Sequence, residues 1–432
     1  MAGSAPLPEV AHRARRRIAW RLLPFLFLLF IVAYIDRTNI GMAALELPRE
    51  LGFSERVIGL GAGIFFLGYF VLQIPGALAV ELGSARRMIG LMMIAWGVIT
   101  VFTAGIRTAS HFYIVRLLLG AAEAAFFPGV VVYLTHWFIS RDRAKALANF
   151  MAAVPLSFVI GTPLAGWILG FRWLNLSGWR WLFILEGIPA VVAGVVALFY
   201  LTDWPQQASW LSPQESTWIT GELQRERAAK LAIRSYRIPE ALRQRDVILL
   251  ALLYFLVVSG NYALAYWLPT ILKRASGASN FTVAMLTATP YLAGLIAMQL
   301  NGWHSDRTGE RRWHTAVPLL VCAGSLALTV VVQAEISVSV ALFTIAACGL
   351  YASLPVFWAM PTAVLSDSAA AASVGWINAV GNLGGFVGPF ALGYLHSRMH
   401  SFAPGLALLV AGYLLAALLA LRVRSPKTQK AS

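Results

Sequence analysis

The chain has 432 residues, of which 59% are hydrophobic and 12% charged, and its mean hydropathy is +0.71. A soluble chain carries roughly 25% charged residues, so the composition excludes a water-soluble fold and points to a polytopic membrane protein. The net charge of +15 does not signal nucleic acid. Most Lys and Arg stand in short segments between apolar runs, no nucleic-acid motif is present, and no polar segment is long enough to form a domain.

A membrane helix needs roughly 20 apolar residues. Twelve runs meet that need, at about 20–45, 56–80, 86–107, 110–138, 144–171, 180–202, 246–272, 280–304, 313–333, 337–361, 370–397 and 402–422. Arg13, Arg15, Arg16 and Arg17 precede the first run, which has no small-residue cleavage site after it. It reads as a retained helix and not as a signal peptide. Lys and Arg are in roughly threefold excess on the side of the termini and the central loop, which places both termini in the cytoplasm. Cys322 and Cys348 fall within apolar runs and read as buried free thiols.

The domain reading is a first six-helix half (1–202), a cytoplasmic linker (203–245) and a second six-helix half (246–432). In the linker, Ser212-Pro213-Gln214-Glu215 has capping-box spacing with Pro at the first helical position. It predicts a short amphipathic helix through Lys230, lying along the inner membrane surface. The halves repeat. Glu81 precedes Arg86-Arg87 by five and six residues, as Asp306 precedes Arg311-Arg312, and Pro163 of the fifth run matches Pro389 of the eleventh. Duplicated six-helix halves with a site between them near the midplane are a transporter plan.

Charged residues at mid-depth cost about 2.5 to 3.5 kcal/mol each on insertion scales and mark function by default. The first run holds Asp36 and Arg37 within Tyr34-Ile35-Asp36-Arg37-Thr38-Asn39-Ile40-Gly41. A guanidinium grips a carboxylate in a bidentate fork and stays charged, so Arg37 is the candidate for holding an anion. Tyr34, three residues earlier, shares its helix face. Asp36 lies about 100° around the helix from Arg37. It either titrates or forms a permanent pair with Arg37. In the fourth run Glu123 follows Arg116 by seven residues, on one face. Among Leu, Ala and Phe the neutral form of a carboxyl is favoured, which makes Glu123 the better proton carrier. Arg116 supports it or pairs elsewhere. Glu186 reads as structural. The second half offers neutral groups: Asn261, Tyr262, Tyr266, Tyr351, Trp358, Asn378 and Asn382, the last two on one face beside a run of glycines.

The stretch Gly302-Trp303-His304-Ser305-Asp306-Arg307-Thr308-Gly309 resembles the signature loop of the major facilitator superfamily. The first-half copy departs from it, with Leu82 where an Arg is usual. The chain also resembles the anion:cation symporter family. The stretches that carry this are Tyr34–Gly41, Gly63–Phe70, Arg116–Gly129, Arg141–Ala146 and Trp376–Asn382, and the nearest flavour is that of bacterial tartrate, phthalate and sugar-acid carriers. One departure is Gln73, where many relatives carry Glu. The resemblance implies an all-α membrane protein of twelve helices in two halves, importing a small organic anion by proton symport with alternating access. It also implies that Tyr69, Trp358 and Asn378 line the cavity, and that Glu81, Arg86, Arg87, Asp306, Arg307, Arg311 and Arg312 belong to the gating loops.

The expected partners are a small organic anion (carboxylate, sugar acid or aromatic acid), protons and the lipid bilayer of the inner membrane, with a monomeric chain and no nucleic acid. Sodium coupling or exchange is the alternative. A transporter-like sensor would need an enlarged cytoplasmic domain, which the sequence lacks. An enzyme would need a nucleophile–base set or a metal cluster, and an ATP-driven pump a Walker motif. The sequence shows none of these, so no cofactor or metal is expected and the chain does not read as an enzyme.

Overall fold

The apolar runs fold as helices because a bilayer leaves no other partner for backbone N–H and C=O groups. The computed structural model describes residues 7–140, 142–143, 146, 152–231, 244–332, 335–364 and 367–424. Its helices are α1 (Leu7–Ala43), a short α2 (Leu47–Leu51), α3 (Glu55–Leu82), α4 (Ala85–Thr103), α5 (Ala109–Glu123), α6 (Phe126–Trp137), α7 (Ala153–Ile168), α8 (Gly178–Tyr200), α9 (Pro213–Leu231), α10 (Arg245–Ser276), α11 (Asn280–Thr308), α12 (Arg312–Val332), α13 (Ile336–Val364), α14 (Asp367–Met399) and α15 (Ala403–Arg422). Ten helical stretches are long and apolar enough to cross a membrane, one of them running through α5 and α6. With the shorter apolar α7 and the 33-residue α14, the twelve expected passes are accounted for. The fold is an all-α membrane protein of two six-helix halves.

Two details differ from the expected spans. The first helix begins at Leu7, well before 20, so Arg13, Arg15, Arg16 and Arg17 ride on helix and not on a loop. The fourth pass is broken: α5 ends at Glu123, and Ala125 has φ −98° and ψ 1° before α6 starts. Pro128 explains the break. It donates no N–H and its ring crowds the carbonyl four residues back, that of Ala124.

Within the first half α4 packs along α8, α3 along α5, and α1 along α7 and α8; within the second, α10 lies along α14 and α15, and α13 along α11 and α12. Glycines set the closest of these approaches. At the α4–α8 crossing a Cβ on Gly97 would come within 2.7 Å of the Gly187 carbonyl oxygen, and one on Gly187 within 2.7 Å of that of Gly97. The helices meet backbone to backbone there, a spacing that only small residues permit.

The halves meet through α3–α14, α7–α11 and α1–α10. Phe66 packs on Tyr262 with ring centroids 4.5 Å apart, and Phe158 stacks on Tyr291 at 4.2 Å. On the face opposite the termini, Arg274 donates to Glu55 and Asn280 donates to Glu46 at 3.4 Å, both across the interface. Among the described residues no ion pair on the face of the termini crosses between the halves; those found include Arg15–Asp142, Arg86–Asp203, Asp306–Arg311 and Arg424–Asp246. The described polar contacts between the halves therefore lie away from the termini. The capping box forms as spaced, with the Glu215 N–H donating to Ser212 Oγ at 3.3 Å and the Ser212 N–H donating to Glu215 at 2.9 Å. Helix α9 docks on the first half through Arg17–Glu215 at 2.7 Å and Arg143–Glu226 at 3.0 Å, burying Ile219 and Leu223. Cys322 and Cys348 are free thiols, the first buried and the second half-buried.

Candidate functional site

Arg37 and Glu123 come together from helices 86 residues apart. The Arg37 Nε donates to Glu123 Oε2 at 2.6 Å, with the side chains 6% and 0% exposed. The glutamate is the last residue of α5, so the break in the fourth pass falls beside the ion pair. Its other oxygen, Oε1, has no hydrogen-bond partner among the described residues. Aromatic faces enclose the guanidinium: its carbon lies 4.9 Å from the Tyr69 ring, 5.2 Å from Tyr34 and 5.5 Å from Phe65.

Asp36 turns elsewhere. It is fully buried and accepts from Thr100 Oγ1 at 2.9 Å and from Asn39 Nδ2 at 3.1 Å. The permanent Asp36–Arg37 pair left open by the sequence is thus not formed; the partner of Arg37 is Glu123. The reason is helical geometry, because successive residues point about 100° apart. Arg37 faces α5, and Asp36 faces α4 while staying close enough to the Glu123 carboxyl for the two to act on each other.

Arg116 is fully buried. Its Nε donates to the Gly61 carbonyl at 3.3 Å, its carbon lies 4.9 Å from the Phe65 ring, and neither terminal nitrogen has a hydrogen-bond partner among the described residues. It forms no ion pair with Glu123, although its charge acts on both Asp36 and Glu123. Phe65 is the common neighbour of the two guanidiniums.

From the second half, Tyr262 is buried between Phe66 and Tyr266, 4.5 Å and 5.8 Å away by ring centroid. Trp358 is half-buried and meets the Tyr254 ring edge-on at 4.8 Å. Asn378 is half-buried and Asn382 nearly buried. The glycines beside them bring α14 against α10: a Cβ on Gly388 would come within 1.9 Å of the Ser259 carbonyl oxygen. Tyr34, Tyr69 and Tyr262 all act electrostatically on Arg37, which places these three expected residues around it. Trp358 reaches the group one step out, through Tyr254, whose own electrostatic neighbours include Tyr262, Tyr69 and Arg37.

The expected gating residues occupy loop ends inside their own halves. Asp306 pairs with Arg311 at 2.7 Å, Arg312 donates to the Leu421 carbonyl, and Arg307 lies over Trp303. In the first half Asp203 organises the loop: it accepts from Ser84 Oγ at 2.6 Å and from the Arg86 N–H at 2.9 Å, while Arg87 is exposed. The Glu81 side chain lies outside the described residues.

Sequence reasoning passed over Asn39, Thr100, Phe65, Tyr254 and Asp203. A signal existed for Tyr254, which stands eight residues before Tyr262 on the same face of α10. None existed for Thr100 or Asp203, which find their partners only through packing.

Among the described residues no group of three or more His, Cys, Asp and Glu side chains is placed to hold a metal. The sequence profile of the Major Facilitator Superfamily matches residues 26–389 and again 250–432. The chain is 44% identical over 399 residues to a putative tartrate transporter of Agrobacterium vitis, covering 92% of each chain. It is 37% identical over 392 residues to a quinolone resistance transporter of Acinetobacter baumannii, covering 90% of each. In fold it is similar to the inward-open xylose transporter XylE of E. coli, with a TM-score of 0.76 at 16% identity, covering 95% of this chain and 97% of that one. The chain belongs to the Major Facilitator Superfamily and is a multi-pass membrane transporter, not an enzyme.

Proposed function

We propose that the protein imports a small organic anion by proton symport with alternating access, and that Arg37 holds the anion. The observation that carries this reading is the buried Arg37–Glu123 pair. A guanidinium enclosed by Tyr34, Phe65 and Tyr69 is a carboxylate receptor whose Nε edge is taken by an internal carboxylate. Protonating Glu123 removes its charge and weakens that hold, freeing Arg37 for a substrate carboxylate. Proton and anion binding then favour each other. Kinship supports an organic acid as cargo through the tartrate-named relative. Beside the quinolone-named relative, kinship leaves the choice of cargo open. Tyr69, Tyr262, Trp358, Asn378 and Asn382 shape the cavity in this reading, and Arg116 steadies the ionised forms of Asp36 and Glu123 by its charge.

With the termini cytoplasmic, as the Lys/Arg bias indicates, the closed face is the outer one and the conformation is inward-facing. The residues of the two signature loops, which stay within their own halves here, would meet across the inner face in the opposite state. The membrane potential contributes about 2.3 kcal/mol per charge per 100 mV. A monoanion carried with one proton gains nothing from it, whereas two protons, on Asp36 and Glu123, let the potential drive uptake. The protein acts as a monomer in the inner membrane.

The test is Glu123→Gln in proteoliposomes. The variant should exchange anion at equal concentrations yet fail to accumulate it under a pH gradient or an imposed potential. Accumulation at the wild-type level would remove Glu123 from the coupling scheme. Replacing the proton gradient with a sodium gradient decides against the sodium-coupled alternative if no uptake follows.

A further inference from the structure

Among the described residues, the buried interior of the first half holds more acids than bases. Arg37 and Arg116 are the cations; Asp36, Glu123 and Glu186 are the carboxyls, each at 5% exposure or less. Glu123 has Arg37; Asp36 has two hydrogen-bond donors and the charge of Arg116, set against the Glu123 carboxylate, which acts on it more strongly than Arg116 does. Glu186, on α8, has no hydrogen-bond partner on either oxygen among the described residues. The groups that act on it are Asn39 and the carboxyl of Asp36, both on α1. The face of α4 packed against it brings glycine backbone at Gly97 and no charge. An ionised carboxylate buried without a cation costs several kcal/mol, and a second carboxylate close by adds repulsion.

Asn39 supplies an independent observation. It is 1% exposed, its Nδ2 donates to Asp36, and its Oδ1 has no donor among the described residues. An orphaned amide oxygen beside an orphaned carboxyl calls for one hydrogen between them. A protonated Glu186 supplies it. Gln73 on α3 stands where many relatives carry Glu; the third buried acid of this half is Glu186 on α8, which the sequence reads as structural.

We propose that Glu186 is a proton-binding site, linked through the Asn39 amide to Asp36, and that the two acids hold one proton between them. In one assignment Glu186 donates O–H to Asn39 Oδ1, while Asn39 Nδ2 keeps its observed hydrogen bond to an ionised Asp36. Turning the amide over serves the opposite assignment, with the proton on Asp36 and Glu186 ionised. The proton count and the net charge of the pair are the same in both. The cluster of three carboxyls and two guanidiniums is then neutral. Any consequence for transport rests on the coupling role given to Asp36 above; the shared proton itself does not.

Infrared spectroscopy of the purified full chain in lipid, without substrate or gradient, tests this. At neutral pH the wild type should show the C=O stretch of a protonated buried carboxyl. Glu186→Gln should remove that band, and Asn39→Ala should move it toward the frequency of a free acid. In Asp36→Asn the ratio of protonated to ionised Glu186, read at one alkaline pH, should fall about tenfold, because the neighbouring negative charge is gone. Absence of the band in the wild type, or its survival in Glu186→Gln, overturns the assignment. An unchanged ratio in Asp36→Asn overturns the sharing. If Glu186→Gln does not fold, Glu186→Asp keeps a carboxyl but changes its C=O frequency, and a band left unshifted in that variant likewise overturns the assignment. Because no transport is measured, failure of the symport reading leaves a distinct signature.

Discussion

The two halves have the same helical plan and opposite chemistry. The first buries five ionisable groups at mid-depth: Asp36, Arg37, Arg116, Glu123 and Glu186. The second presents Tyr254, Tyr262, Tyr266, Trp358, Asn378 and Asn382 and, among the described residues, no mid-depth charge. In the proposed alternating-access cycle the difference has an energetic meaning. Breaking a buried ion pair by removing one partner costs about 3–5 kcal/mol. Here the buried pair lies within one half, so sliding of the halves leaves it intact. An ion pair that does cross the interface, Glu55–Arg274, lies at the rim with its side chains 24% and 48% exposed, where water screens it and can replace it. In the proposed reading the charged half holds anion and proton, and the neutral half supplies shape.

The sharpest way to break this comparison is Arg37→Lys. It keeps the charge and loses the fork, and should weaken anion binding about 10- to 100-fold, since a charged hydrogen bond is worth about 1.5–3 kcal/mol. Membrane insertion should be normal. Binding within about twofold of wild type, by titration of the purified protein, ends the role assigned to Arg37.

Asp36→Asn should abolish proton-driven accumulation while leaving anion binding within about threefold of wild type, because Asp36 does not touch Arg37 in the structure and the change removes no hydrogen bond from the guanidinium. A loss of affinity as large as that of Arg37→Lys would show the two residues acting as a unit after all.

On the neutral side, Asn378→Ala should weaken binding only about 2- to 12-fold, the range of a neutral hydrogen bond. If alanine at this position proves more damaging than Lys at 37 at equal expression, the assignment of charge to one half and shape to the other fails.

The smallest effect concerns the outer rim of the first half, outside the site. Burial pushes the Glu50 carboxyl up, but hydrogen bonds from Ser177, Trp179 and Arg180 and the Arg180 charge outweigh it and hold the group below its ordinary value. Its contribution to stability is therefore present above the ordinary glutamate range and is lost as pH falls through the lower, folded value. Glu50→Gln should cost no more than about 1 kcal/mol, seen as a slightly lower Tm at neutral pH and a difference from wild type that closes in acid. A gap that widens in acid would reverse the sign argued here.

The membrane class, the twelve passes, the duplicated halves and the charged residues at mid-depth were legible in the chain itself. Each follows from a local rule: the length needed to cross a bilayer, the cost of charge in hydrocarbon, and the period of a helix. Pro128 likewise announces the break after Glu123, once the carbonyl four residues back is considered. Which charge meets which was not legible. Asp36 and Arg37 are neighbours in sequence and strangers in space, because one residue turns a helix by about 100° and sends one side chain to α4 and the other to α5. The pairing of Arg37 with Glu123 spans 86 residues. The approach of Glu186 to Asp36 needs α8 to lie against α1. Composition and spacing determined that charges stand inside this membrane protein; only helix packing, which no local pattern encodes, decided their partners.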